Sequence, residues 1–259
     1  MTNATAASGT GYHQDLLGQT VVVIGGSSGI GLETARLARA HGADVILAAR
    51  NPDRLRDAAH DVDARHTAAF DATDLARLEQ FFAELPGPVD HVMITGGGPY
   101  YSPLADMDFA AASRDINEHL LVTLAVARFG AARMRPPGTL LFMGGTGGRS
   151  VAVGLSLISA LSAALPPLIA NLAVELAPLR ANVIAAGFVD TPLSATLLGD
   201  QLETRRAELR ATLPIGRVVG PADVAALAVH LMTNTALTGA TYDIDGGQQL
   251  VTNRGAITR

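Results

Sequence analysis

Apolar positions along the chain fall into two alternating patterns. Short, nearly continuous apolar runs predict strands at VVVI (21–24), DVILAA (44–49), TAAF (67–70), HVMIT (91–95), TLLFM (139–143), ANVIAA (181–186) and ATYDI (240–244). Between them lie stretches with helical spacing. These run from a Gly-rich turn to His41, from Pro52 onward, over 74–85, over about 108–134, somewhere within 155–179, and from Pro221 to about 232. Residues 193–213 predict a further helical excursion. Strands that are apolar throughout are buried on both faces, which requires a parallel sheet covered by helices on each side. The pattern predicts an α/β fold, a doubly wound parallel sheet of seven strands. No linker, repeat or composition shift divides 18–259, so it reads as one domain, and the small polar residues 1–17 read as a flexible tail.

Composition narrows the chemistry. The 259 residues are 48% hydrophobic, enough for a substantial core. All 19 basic residues are arginine; lysine, cysteine and tryptophan are absent. No lysine Schiff base, P-loop lysine, cysteine nucleophile, disulfide or cysteine-held metal is therefore possible. Net charge is −5 and the arginines are scattered, so no nucleic-acid partner is expected. No run approaches the roughly 18 apolar residues of a membrane span, and no basic-then-apolar leader opens the chain, so no membrane partner is expected either. The lack of cysteine suits a cytoplasmic protein. The histidines show no metal-ligand spacing, so no metal site is expected.

Gly25, Gly29 and Gly31 form G-x-x-x-G-x-G between the first strand and the first helix. Glycine allows the tight turn and close backbone approach, and the helix start offers free N–H groups to a pyrophosphate. The second strand ends at Arg50. An acidic residue there would accept hydrogen bonds from a ribose 2′-hydroxyl, whereas arginine suits a 2′-phosphate.

VVVIGGSSGIGLETA resembles the opening of the short-chain dehydrogenase/reductase family, and the match extends from about 18 to 251. The resemblance implies a Rossmann-type sheet and a dinucleotide held by Gly25, Ser27, Ser28, Gly29, Ile30 and Gly31. Further contacts are implied from Arg50 and Asn51, from Asp71 and Ala72, from Thr95, Gly96 and Gly97, and from Gly187, Val189 and Thr191. In that family an arginine at position 50 goes with NADP(H), which is favoured here over NAD(H). Asn117 matches the family's helical active-site asparagine.

The other catalytic positions differ. The family's Tyr-x-x-x-Lys lets an ammonium depress a phenol pKa and hold the nicotinamide ribose, while a serine on strand five polarises the carbonyl. Aligned through LAVELAP (172–178), the tyrosine falls on Ile158, the lysine on Ser162 and the serine on Gly145. Coding bias accounts for a chain without lysine, but not for the loss of tyrosine and serine with it. Pro166-Pro167 adds a second departure: the helix either starts near 166, leaving 150–165 irregular, or kinks there.

Replacement acids are Tyr100 and Tyr101 after strand four, with His119 a weaker candidate. Arg149 and Ser150 are candidates for holding an anionic group, and Asp190 lies nearby. An iminium carbon is already electrophilic, and an enone can pass charge to a carbonyl held by backbone N–H groups, so neither needs a strong acid as an ordinary ketone does. Three readings stay open: an oxidoreductase with a non-standard site acting on a small molecule, a cofactor-binding protein without redox chemistry, and a repurposed lyase, cyclase or isomerase. The retained nucleotide features favour the first. The resemblance also implies a homotetramer or homodimer built on the helices at 108–134 and 155–179.

Overall fold

In a computed structural model, residues 15–95 and 97–252 are described. Seven strands form one sheet: β1 Thr20–Ile24, β2 Asp44–Ala49, β3 His66–Ala69, β4 Val89–Ile94, β5 Met134–Gly145, β6 Arg180–Ala186 and β7 Thr241–Ile244. Their order is β3-β2-β1-β4-β5-β6-β7, and every neighbouring pair is parallel. The chain winds outward one way from β1 through β3 and then the other way from β4 through β7. The reversal opens a crevice at the carboxyl ends of β1 and β4, where such sheets bind ligands.

Alternation along each strand builds two cores. Val22 and Ile24 of β1 face one side with Val92, Leu140 and Phe142; Val21 and Val23 face the other with Val45, Leu47, Met93 and Leu141. Helices α3 (Leu75–Ala83), α5 (Val122–Ala131) and α6 (Ser156–Glu175) cover the first face through Leu78, Phe82, Val126, Leu165 and Ile169. Helices α1 (Gly29–Ala40), α2 (Pro52–Asp61) and α9 (Pro221–Thr233) cover the second through Ala35, Ala38, Leu55, Val224 and Ala228. Two shorter helices, α7 (Pro192–Leu198) and α8 (Leu202–Thr212), form the excursion expected at 193–213.

Several expectations change. The tail was drawn too long at its inner end: Leu16 is fully buried, and its N–H bonds to His41 O at 3.1 Å, because an apolar side chain there completes the second core. Residues 1–14 lie outside the described residues. The helix expected at 108–134 is α4 (Phe109–Ile116), a π turn over Asn117–Leu121, and α5. A short α10 (Gln248–Thr252) was not anticipated.

Of the two alternatives drawn from Pro166-Pro167, a helix starting near 166 is ruled out. Helix α6 begins at Ser156, and both prolines lie inside it. Ile158, Leu161, Leu165, Ile169 and Leu172 form a buried stripe at spacings of three and four, so packing on the sheet outweighs two missing N–H donors. This helix also corrects the membrane reading: at 20 residues, with a mean hydropathy of 1.8 in its most apolar window, it is long and apolar enough to span a bilayer. In this fold part of that apolarity forms the stripe against β5 and β6.

Candidate active site

A cavity of about 380 Å³ lies over the carboxyl ends of β1, β2 and β4. Its floor is the β1–α1 turn, with Gly25, Ser27, Ser28, Gly29 and Ile30 on the wall. Gly25 has φ +88°, a left-handed conformation suited to glycine. Ser28 is extended at the helix N-cap and makes no side-chain cap, so it supplies no competitor for the first-turn amides. Gly31 does not line the cavity. A Cβ there would lie 2.4 Å from Gly25 O and 2.6 Å from Thr95 Oγ1, so this glycine lets α1 sit tightly on the strands.

The far end is lined by Arg50, Asn51, Arg54, Asp71, Ala72 and Thr73. Asn51 caps α2 by accepting the Arg54 N–H at 2.9 Å. Asp71 Oδ1 accepts the backbone N–H of Thr73 at 3.0 Å and its hydroxyl at 2.9 Å, which fixes the loop after β3. Elsewhere Arg36, Arg39, Arg65 and Arg135 each meet a carboxylate. Arg50 and Arg54 meet none within 4.0 Å among the described residues, so two guanidiniums face this cavity with their charge uncompensated. That arrangement fits a nucleotide with an extra phosphate at the adenosine end.

A second cavity of about 480 Å³ adjoins the first. Ile30, Ile94, Thr95, Gly97, Glu118, Thr191 and Leu193 line both, so the two share a wall. Thr95 ties β4 to β1 through its hydroxyl, 3.2 Å from Gly25 O. Gly96 lies outside the described residues. Gly187 and Val189, expected at the cofactor, line only the second cavity. Thr191 caps α7, exchanging hydrogen bonds with Ser194.

Gly145, Ile158 and Ser162 all line the second cavity. Gly148 presses on this wall; a Cβ there would lie 2.4 Å from Ser162 Cβ. The two tyrosines after β4 part company. Tyr101 lines the cavity, and burial, with Asp115 second, raises its phenol pKa, which keeps it neutral. Tyr100 lines neither cavity; its hydroxyl accepts the Asp108 N–H at 2.8 Å, at the start of α4.

Asn117 also lines neither cavity, because the π turn that begins there widens the helix and turns the next two residues inward. Glu118 reaches the shared wall and His119 the second cavity. His119 Nδ1 is 2.9 Å from Asp115 O and 3.2 Å from Asp115 Oδ1. Asp115 is only 4% exposed, and its carboxyl pKa is raised by burial, against opposing effects of His119 and the Tyr100 N–H.

Arg149 is taken up by a two-pronged pair with Asp243 and is not on the cavity wall, whereas its neighbour Ser150 is. Asp190 accepts from Arg206 at 2.6 Å and also stays off the wall. Arg205 and Gln248 line the second cavity without having been anticipated. Gln248 Oε1 accepts the Phe188 N–H at 3.0 Å, so α10 closes the site behind β6. Among the described residues, no group of three or more His, Asp or Glu is placed to hold a metal.

Residues 24–249 match the family described as enoyl-(acyl carrier protein) reductase. The chain is 30% identical to the short-chain dehydrogenase/reductase ATR9 of Stachybotrys chlorohalonatus, over 89% of this chain and 96% of that one. Among solved structures it resembles the MalC reductase/Diels–Alderase of Malbranchea aurantiaca, with TM-score 0.84 and 27% identity over 92% of this chain and 98% of that one. It also resembles a small-chain dehydrogenase in complex with NADPH, with TM-score 0.77 and 25% identity over 90% and 99% of the two chains.

Proposed function

Since the chain belongs to the short-chain dehydrogenase/reductase family, we propose that it is an NADP(H)-dependent oxidoreductase with a non-standard active site, acting on a pre-activated substrate such as an iminium or enone. One observation carries this reading. A cavity lined by the β1–α1 turn, Arg50, Arg54 and Asp71 adjoins a second cavity lined by Gly145, Ile158 and Ser162, the positions where the resemblance would put serine, tyrosine and lysine.

Bound NADPH would supply a hydride to an electrophilic carbon in the second cavity. The β1–α1 turn would hold its pyrophosphate, Arg50 and Arg54 its 2′-phosphate, and Asp71 its adenine. Gly187, Val189 and Thr191 would border the nicotinamide. The likeness to a relative described as both reductase and Diels–Alderase supports a second reading, in which the same cavity also orients a substrate for ring formation.

A stopped-flow measurement of NADPH oxidation over an iminium, an enone and an unactivated ketone tests the proposal. The activated substrates should react about 10²-fold or more faster than the ketone, the span that acid assistance normally provides. A ketone reduced as fast as either would contradict it.

A further inference from the structure

The ionisable groups of the second cavity are Glu118, His119, Tyr101 and Arg205, and the placing of its one carboxylate discriminates between electrophiles. Glu118 stands on the wall shared by the two cavities. Its carboxylate has no cationic partner within 4.0 Å among the described residues, whereas Glu33, Glu203 and Glu208 each meet an arginine. Reduction of a ketone or enone places negative charge on an oxygen. A carboxylate beside that point repels it, while the same carboxylate stabilises a carbon–nitrogen cation.

His119 adds a proton source on the same cavity wall. Asp115 is buried, and its Oδ1 lies 3.2 Å from His119 Nδ1 across one turn of the same helix, while its Oδ2 has no hydrogen-bond partner. With Nδ1 turned to Asp115, Nε2 is the ring nitrogen left for the cavity, and it has no protein partner among the described residues. A carboxylate that orients a histidine and stabilises its cation is the usual support for a proton-transferring imidazole. An imidazolium and a protonated imine have comparable acidities, whereas a ketone oxygen is a far weaker base. Other ionisable groups facing this ring are Tyr101, from the loop after β4, Glu118, from its own helix, and Arg205, from α8. Arg205 is held by Glu208 at 3.2 Å.

We propose that the substrate is an imine, protonated by His119 and held as a cation by Glu118, with Asp115 positioning the histidine. This rests on the oxidoreductase reading and narrows its substrate class. The Nε2–H bond breaks as an N–H bond forms at the imine nitrogen. A hydride that bound NADPH would supply, leaving NADP⁺, would form the new C–H bond and neutralise the iminium to an amine. The neutral imidazole regains a proton from solvent.

Two probes separate the roles. 3,4-Dihydroisoquinoline needs a proton before it accepts hydride; its N-methyl iminium salt is permanently charged and does not. In single-turnover NADPH oxidation, His119→Gln should slow the neutral imine about 10²-fold and leave the N-methyl salt within about threefold. Glu118→Gln should slow both about tenfold. A cofactor-free readout uses calorimetry of the N,N-dimethyl-tetrahydroisoquinolinium cation against its neutral hydrocarbon analogue. The wild type should prefer the cation and Glu118→Gln should lose that preference. Asp115→Asn should slow the neutral imine and leave the N-methyl salt within about threefold, the signature of a residue that acts through His119.

Equal slowing of both probes by His119→Gln, or slowing of neither, overturns the proton-donor role. No preference for the cation in the wild type overturns the charge argument, whether or not the substitutions fold. An enone reduced faster than either imine would overturn the substrate class while leaving the oxidoreductase reading intact. No NADPH oxidation with any substrate would remove that reading itself.

Discussion

His91 sits inside the sheet, 3% exposed, with Nε2 2.6 Å from Gln19 Oε1 and Nδ1 accepting the Thr139 N–H at 3.3 Å. Both ring nitrogens are satisfied only when the imidazole is neutral. Burial, and then nearby Arg180, lower its pKa to about 4, against an opposing effect of Asp90. In the unfolded chain a histidine titrates near 6.5. Between these values the unfolded state binds more protons, so this stabilisation is complete above about pH 6.5. It is lost as pH falls toward 4, amounting to about 3 kcal/mol. Denaturant titrations at pH 7 and pH 4.5 should show a larger loss for wild type than for His91→Gln; equal losses would contradict the assignment. Legibility in the sequence also varied residue by residue. Gly25, Arg50 and Asp71 could be read because their roles follow from position after a strand, and they do line the nucleotide cavity. His119 could be read only as a weaker candidate acid and Glu118 not at all, because a π turn carries no clear mark in one sequence.

Among the elements, α6 shows most directly how packing overrides local preference. A proline inside a helix lies about 3 kcal/mol below alanine in propensity, and Pro167 occupies an exposed position within α6. Pro167→Ala should restore an N–H for Ala163 O and raise stability by about 1–3 kcal/mol, measured by denaturant unfolding. A loss of stability would mean that the proline ring packs in a way that its exposure does not indicate. The strands were legible to within a residue or two, except that β5 begins at Met134 rather than 139. Its early part, with Arg135, Pro136 and Pro137, is polar and proline-rich, so no apolar run announces it. The start of β6 is locked by Arg180, which donates to the carbonyls of Leu231, Met232, Asn234 and Leu237 at the end of α9, and to Pro137 O. Leu231 and Met232 lie in the last turn of α9, whose carbonyls lack partners within the helix, and a buried guanidinium suits the negative end of its dipole; Asn234 and Leu237 lie just past it.

At the scale of the whole molecule, the strand order fixes where chemistry can occur. Both cavities lie at carboxyl ends of strands around the reversal between β1 and β4, so the nucleotide and substrate compartments meet at one wall. The fold was legible because each apolar run became a strand of the one sheet. The content of the second cavity was less so, since its wall draws on the π turn, α5 to α8 and α10, and no single motif spans them. The missing lysine, first an oddity of composition, corresponds to a cavity whose ionisable lining is Tyr101, Glu118, His119 and Arg205. Calorimetric titration of NADPH and NADH into the wild type and Arg50→Asp tests the central claim most directly. One nucleotide should bind per chain, with NADPH favoured roughly tenfold or more and that preference lost in Arg50→Asp. Failure of either nucleotide to bind, or equal weakening of both by the substitution, would contradict it.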